Sequence, residues 1–324
     1  MPRTEPAHRV AQALLDHDGP VTVVAHVDPD GDALGSVLTL TRALRRLGRD
    51  AHAVMPEPPR YLRFLADPGE LSAPAAELAP NTLLAVLDTD LRRAVGAPHE
   101  AAALVVNVDH HGTNPGGADV LWVDPSYASA TMMVADVVEA LGVPWDAHLA
   151  TPCLAGLMTD TGHFRFGNTD RRALERAGGL IDAGVAYAEL SDRLQWRHPA
   201  YYGLLARVMG TVRYRLDGRA VLIDLTLAMR EEATADGDDA DDFVQQVRYA
   251  EGTIVAAILK ERPEGVKVSV RSRAGASAQR ICVTLGGGGH VAAAGATLTG
   301  LDLAAAEERL LAAIAEELGR LDPG

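Results

Sequence analysis

The sequence predicts an α/β protein of two domains, an N-terminal one on a parallel sheet and a smaller C-terminal α/β domain with a mixed sheet. Three observations lead there. Apolar, β-branched runs alternate with helix-like segments through the first half, the order that parallel strands with helical crossovers require. Several of those runs stop at carboxylate or imidazole residues. After Gly210 the texture changes to short strands and a hairpin turn. At 324 residues the chain is long enough for two cores.

Residues up to Gly19 read as a lead-in helix, with 10–15 as its apolar part. The run 21–24 is a buried strand and opens into Ala25-His26-Val27-Asp28-Pro29-Asp30-Gly31-Asp32. Residues 38–47 have helical spacing with Gly48 as the stop, and 50–55 form a second strand. Pro56, Pro58 and Pro59 force a loop, and the stretch to Pro80 is only weakly periodic. Residues 82–87 are a fully apolar strand ending in Asp88-Thr89-Asp90; 104–108 form another, ending in Asp109-His110-His111-Gly112. A short strand at 119–123, a helix at 129–141, a break at Pro144 and a buried helix at 148–158 follow. The last runs into Thr159-Asp160, and a further helix spans 169–183.

Sites in open parallel sheets form at the carboxyl ends of strands, so these polar endings can converge although they are far apart in the chain. Oxygen donors and imidazoles packed together repel unless a cation sits among them. An EF-hand is excluded, because that loop needs glycine sixth and glutamate twelfth, where this chain has Ala33 and Thr39. A helix cap remains an equally ordinary use for an Asp-rich turn, and a C-terminal turn for Asp160. The absence of nearby cysteine disfavours structural zinc, and mixed Asp/His donors suit manganese while tolerating magnesium or cobalt.

Taken in order, His26-x-x-x-Asp30-x-Asp32, Asp88, Asp109-His110-His111 and Asp160 resemble the motifs of the DHH phosphoesterase superfamily. The resemblance spans most of the first 190 residues. It implies two divalent ions sharing a bridging carboxylate: His26, Asp30 and Asp88 on the first, Asp32, Asp88, His110 and Asp160 on the second. His111 would then contact the transferred phosphoryl oxygens or act as general acid. Asp28 and His163 receive no role.

In the second half, 187–195 and 200–209 read as helices around Arg197-His198-Pro199, with 191–209 expected as a linker between domains 1–190 and 210–324. Residues 211–216 and 220–225 form a hairpin turning at Asp217-Gly218, and 253–259 and 266–270 are strands. The acidic run 231–242 reads as a solvated loop without a role. Gly286-Gly287-Gly288-Gly289-His290, preceded by Arg271-Ser272-Arg273, is neither a Walker loop nor a Rossmann turn. It resembles the glycine-rich signature of the DHH-associated C-terminal domain. That implies that Arg271, Arg273 and Gly287, Gly288, Gly289 and His290 hold the non-scissile end of a substrate in a cleft facing the metals.

Composition narrows the substrate. Net charge is −14, the pI is near 5.2 and only 4% of residues are aromatic, so a basic groove for long nucleic acid is not expected. Short anions remain. Cys153 and Cys282 read as reduced core residues of a cytoplasmic protein, and no stretch approaches a membrane span. The resemblance therefore implies a homodimeric, manganese-dependent hydrolase of short oligoribonucleotides (nanoRNA, linear dinucleotides, cyclic di-AMP) and of 3′-phosphoadenosine 5′-phosphate. A family II pyrophosphatase, a RecJ-like exonuclease and a non-catalytic nucleotide sensor are the alternatives.

Overall fold

Six short apolar segments pair side by side in the first half of the computed structural model. The structure describes residues 4–96, 98–234, 240 and 242–321, which divide into two units, Met1–Trp196 and Arg197–Gly324. The first unit runs α1 (Thr4–Asp16), β1 (Val21–Val24), α2 (Gly31–Arg46), β2 (Ala51–Val54), β3 (Leu71–Ser72), β4 (Leu83–Leu87), β5 (Leu104–Asp109) and β6 (Val120–Val123). It continues with α3 (Ala130–Ala140), α4 (Ala147–Asp160), α5 (Arg171–Asp182) and α6 (Tyr187–Gln195).

The sheet order is β3-β2-β1-β4-β5-β6 and every pairing is parallel. The chain steps outward from β1 to β3, then returns to β4 on the other side of β1. The order therefore reverses between β1 and β4, where loops leaving the carboxyl ends diverge and open a crevice. β4 is buried on both faces, which is why it is apolar throughout. Leu83, Ala85 and Leu87 join the large helical core, while Leu84 and Val86 join a smaller cluster with Leu91, Val95 and Val105.

Two glycines let the helices approach closely. A Cβ on Gly35 would stand 2.4 Å from the Pro152 carbonyl oxygen, and one on Gly156 would stand 2.4 Å from Thr131 Cγ2. Pro152, inside α4, cannot donate to the carbonyl of His148 four residues back. Arg42 Nη1 supplies that bond at 2.7 Å, its other donors reaching Leu65 O and, in bidentate fashion, Glu70.

The second unit runs α7 (Pro199–Met209), β7 (Arg213–Arg215), β8 (Ala220–Leu225), α8 (Leu227–Ala233), α9 (Phe243–Arg248), β9 (Val255–Arg262), β10 (Gly265–Ser272), α10 (Ala278–Thr284), β11 (Gly288–Gly289), β12 (Ala293–Thr299) and α11 (Leu303–Gly319). Its sheet, β11-β12-β10-β9-β8-β7, is mixed: β8 and β9 pair in parallel, the rest antiparallel. The parallel pair needs a crossover, which α8 and α9 occupy. Side chains alternate between two cores: Val255, Ala257 and Leu259 lie with Ile281 and Leu310, and Ala256 and Ile258 with Tyr201 and Phe243.

The segment expected as a linker is divided between the units. Leu190 and Leu194 of α6 belong to the first core, and Tyr201, Leu204 and Val208 of α7 to a core of the second. The run Ile281 to Thr284, β-branched at three of its four residues, lies in the helix α10, whose Ile281 and Cys282 face the sheet. Within the acidic run, 235–239 and 241 lie outside the described residues. Asp242 accepts bonds from Arg197 Nη2 and Tyr201 Oη at 3.1 and 3.2 Å, so it braces the start of α7. Cys153 and Cys282 are buried free thiols, and burial pushes Cys153 up to about 12. Among the described residues no helix is long and apolar enough to cross a membrane.

Candidate active site

β1, β4 and β5 are neighbours in the sheet, so the residues just past their carboxyl ends meet at the crevice. His26 follows β1, Asp88 follows β4, and His110 and His111 follow β5. Asp32 enters from the first turn of α2, and Asp160 is the last residue of α4. Asp88 is the common member. Its Oδ2 lies 3.6 Å from His26 Nε2 and its Oδ1 lies 3.3 Å from His110 Nε2.

The six expected ligands fall into two groups around that carboxylate. His26, Asp30 and Asp88 place donor atoms within 4.8 Å of one another, with Asp30 Oδ1 3.8 Å from His26 Nε2. Asp32, Asp88 and His110 do the same, and His110 Nε2 stands 3.8 Å from both Asp32 Oδ2 and Asp160 Oδ2. Asp30 also takes the helix-cap role open to an Asp-rich turn. Its Oδ1 caps α2 by accepting from the amides of Asp32 and Ala33 at 3.0 Å.

The electrostatics are those of a cation cradle. Asp32, His26, Asp88 and His110 are all buried. Burial, then the Asp88 carboxylate, pushes Asp32 up to about 7. Burial disfavours charge on His26, yet the hydrogen bond to Asp88 and the Asp30 carboxylate outweigh it and raise the imidazole to about 9. Burial would likewise raise Asp88, but hydrogen bonds from His110 and His26 hold it below the usual carboxylate range. Asp88 Oδ1 and His26 Nδ1 are buried with no well-directed hydrogen bond, and Asp160 ends a helix, where an anion is disfavoured. Protons drawn onto Asp32 and His26 stand in for missing positive charge. Divalent ions beside His26 Nε2 and Asp88 Oδ1 would supply it, so the residues fit the metals that the motifs imply.

Further partners orient the expected ligands. Asp32 Oδ1 accepts from Thr131 N and Oγ1 at 2.9 and 2.7 Å, and its Oδ2 from Ala130 N at 2.6 Å, in the first turn of α3. His110 Nδ1 lies 3.4 Å from Tyr127 O, which turns Nε2 toward the carboxylates. His111 Nδ1 is 2.7 Å from Asp109 Oδ1, so its chemistry falls to Nε2. Asp109 is fully buried and orients the ring. Thr131, Asn107 and Asn114 are absent from the sequence reading. Only Asn107 carries a signal there, as an amide inside an apolar strand.

In the second unit Arg271 is the next-to-last residue of β10, its Nη1 donating to Val270 O at 3.1 Å. Arg273 is otherwise engaged: Nε reaches Thr253 O at 2.5 Å, and Nη2 reaches Ala250 O and Thr253 Oγ1, bracing the turn before β9. The glycine run is partly architectural too. A Cβ on Gly287 would stand 2.1 Å from Gly295 O, and Gly289 has φ +137°, so both serve the pairing of β11 with β12. Gly288 and His290 are exposed, with open space where a Gly288 Cβ would sit.

A parallel sheet with two Asp/His groups that could each hold an ion and that share Asp88, followed by a mixed-sheet unit with a glycine-rich edge, fits a two-domain phosphoesterase class. The chain belongs to the DHH family: residues 20–158 match the DHH family N-terminal domain and residues 222–320 the DHHA1 domain. It is 50% identical over 312 residues to the bifunctional oligoribonuclease and PAP phosphatase NrnA of Thermus thermophilus, covering 96% of this chain and 94% of that one. It is 25% identical to the cyclic-di-AMP phosphodiesterase PdeA of Listeria monocytogenes over 94% of this chain and 48% of that protein. The crystal structure of an exopolyphosphatase-related protein from Bacteroides fragilis superposes with a TM-score of 0.85 at 20% identity, covering 96% of each chain. That last likeness concerns the fold alone.

Proposed function

We propose that the chain hydrolyses short oligoribonucleotides and dephosphorylates 3′-phosphoadenosine 5′-phosphate (PAP) to AMP and inorganic phosphate. Family membership makes it a hydrolase of phosphate esters, and the 50% identical relative carries both activities in its name. The observation that carries the reading is Asp88, one oxygen toward His26 and the other toward His110, as a carboxylate shared by two ions requires.

His26, Asp30 and Asp88 would hold one ion, and Asp32, Asp88, His110 and Asp160 the other, with manganese preferred over magnesium or cobalt. When bound, such ions would supply Lewis-acid polarisation of the phosphoryl group and a lowered pKa for the attacking water. Water adds to phosphorus, the ester P–O bond breaks, and the leaving ribose oxygen takes a proton. His111, its Nδ1 committed to Asp109, offers Nε2 to a phosphoryl oxygen or to that leaving oxygen. Arg271 with Gly288 and His290 takes the remaining phosphate and nucleoside, and Arg273 holds the turn behind them. The protein works in the cytoplasm as a homodimer.

Rates on PAP, a linear dinucleotide, a 24-mer RNA, cyclic di-AMP and pyrophosphate, measured side by side with manganese, test this. The expected result is turnover of PAP and the dinucleotide, with the rate falling steeply beyond roughly five nucleotides, because an acidic chain gains no counterion release along a longer strand. Pyrophosphate as the best substrate, equal rates per end on the 24-mer, or full turnover after exhaustive chelation would each contradict it.

A further inference from the structure

Asn107 is fully buried in β5, between Val106 and Val108, which face the helices. An amide buried in an apolar strand is costly unless every polar atom finds a partner. Here each does. Asn107 Nδ2 donates to Val86 O at 3.0 Å and Thr89 O at 2.8 Å, the carbonyls on either side of the Leu87-Asp88 step. Asp88 has φ +58°, a left-handed conformation costing a residue with a side chain about 1–3 kcal/mol unless its surroundings over-determine it. Its amide donates to Val108 O at 3.0 Å, so the Asp88 turn is held from β5 by main chain and side chain together.

The network continues. Asn107 Oδ1 accepts from Asn114 Nδ2 at 2.9 Å, and the same Asn114 nitrogen reaches Asp109 Oδ2 at 2.7 Å and Thr89 O at 3.4 Å. Asn114 Oδ1 accepts from Gly116 N at 2.8 Å, which fixes the sense of both amides. Asp109 Oδ1 accepts from His111 N and Nδ1. One chain of bonds therefore runs from the Asp88 turn through two asparagines to the imidazole of His111.

We propose that Asn107 and Asn114 are positioning residues for the hydrolysis, a pair of amides that sets the shared carboxylate and the Asp109–His111 pair in one fixed relation. The proposal rests on the roles given above to Asp88 and His111. Asn107 acts on the Asp88 turn, and Asn114 acts on Asp109 and, through it, on the direction of His111 Nε2.

Asn114 is the variant to test, since Asn107→Ala opens a hole in the sheet and risks the fold. Asn114→Ala should lower kcat by about 10–100-fold, the usual scale for a group that orients a reacting one, with KM little changed. Bound manganese should stay near that of the wild type. In the metal-free chain the His111 Nδ1–H proton resonance should shift or broaden while the thermal midpoint moves by only a few degrees. The deciding measurement is the cycle with His111→Ala. If Asn114 acts through His111, the double variant is no slower than His111→Ala alone, within about twofold. Additive losses, or wild-type kcat in Asn114→Ala beside a slow His111→Ala, would overturn the clamp. Wild-type turnover in His111→Ala would instead remove the reading beneath it.

Discussion

Two buried knots of charge lie in the first unit, and they are built on opposite plans. Around Arg42 four of the five guanidinium N–H donors are matched: Glu70 takes two, and the carbonyls of Leu65 and His148 take one each. Around Asp88 the count fails. Four carboxylates and two imidazoles crowd together, Asp88 Oδ1 and His26 Nδ1 lack well-directed partners, and the backbone at Asp88 is left-handed. A matched knot holds a fold together, here by completing a helix that Pro152 interrupts. A mismatched one, held in place by surroundings that are themselves matched, stores room for a ligand.

The largest effect should come from Asp88→Ala, which removes the carboxylate common to both groups. We expect kcat/KM to fall by about 10³-fold or more, on the scale of losing a preorganised electrostatic group. Loss of a single-ion ligand such as Asp30 should cost less. The thermal midpoint of the metal-free Asp88→Ala chain should move by only a few degrees, because repulsion of Asp30 and Asp32 leaves with the carboxylate while its contacts with His26 and His110 are lost and the left-handed backbone stays. A large drop in that midpoint would mean that the second knot is structural like the first.

Arg42→Ala should show the reverse. Arg42 and Glu70 are each 5% exposed as side chains, so truncating one leaves a buried charge alone, at a cost of about 3–5 kcal/mol. Denaturant unfolding reads that loss, and the folded fraction should keep its kcat. Unchanged stability with lost activity would exchange the roles of the two knots.

In the second unit Glu317 extends the contrast to pH. It is 2% exposed and accepts from Arg280 Nη2 and Nε and from Ser277 N at 2.5, 2.8 and 2.7 Å. The hydrogen bonds from Arg280 come first in holding its carboxyl below the usual range. A carboxylate depressed on folding contributes stability that is complete above its unfolded value, about 4.3, and is lost as pH falls through the folded one. Thermal midpoints of wild type and Glu317→Gln should therefore converge as the pH drops from about 5 to 3. Parallel curves across that range would show that the pair contributes nothing.

The smallest effect expected is on binding. Arg271→Ala should raise KM for PAP by about tenfold, in keeping with one charged hydrogen bond, and leave manganese content alone. Arg273→Ala should lower stability as well, since its guanidinium braces the turn at Ala250 and Thr253. Wild-type KM in Arg271→Ala would remove the second unit from substrate binding.

Much of this was legible in the sequence because strand ends are. An apolar run that stops at Asp88 or at Asp109-His110-His111 announces both the strand and the place where its polar residues emerge, and parallel order brings those places together. What stayed hidden has no period. Asn107 and Asn114 act by side-chain bonds to carbonyls brought near by the sheet, and Thr131 reaches Asp32 only because Gly156 lets two helices close. The run Ile281 to Thr284 favours a strand locally, yet its burial against β10 and α11 makes it a helix. The proposed linker failed to stand apart because α6 and α7, alike in pattern, bury their apolar faces in different cores. Gly287 and Gly289 looked like an anion cradle, and the close pairing with β12 already accounts for both.

The proposed function requires one carboxylate, Asp88, to serve two metal ions. Manganese titration of the metal-free chain, followed by calorimetry and by electron paramagnetic resonance, is the deciding measurement. Two ions per chain with a spin-coupled signal in the wild type, and loss of both from Asp88→Ala while Asp160→Ala keeps the ion held by His26 and Asp30, is the result expected. A single ion in the wild type, or two ions retained by Asp88→Ala, would contradict it.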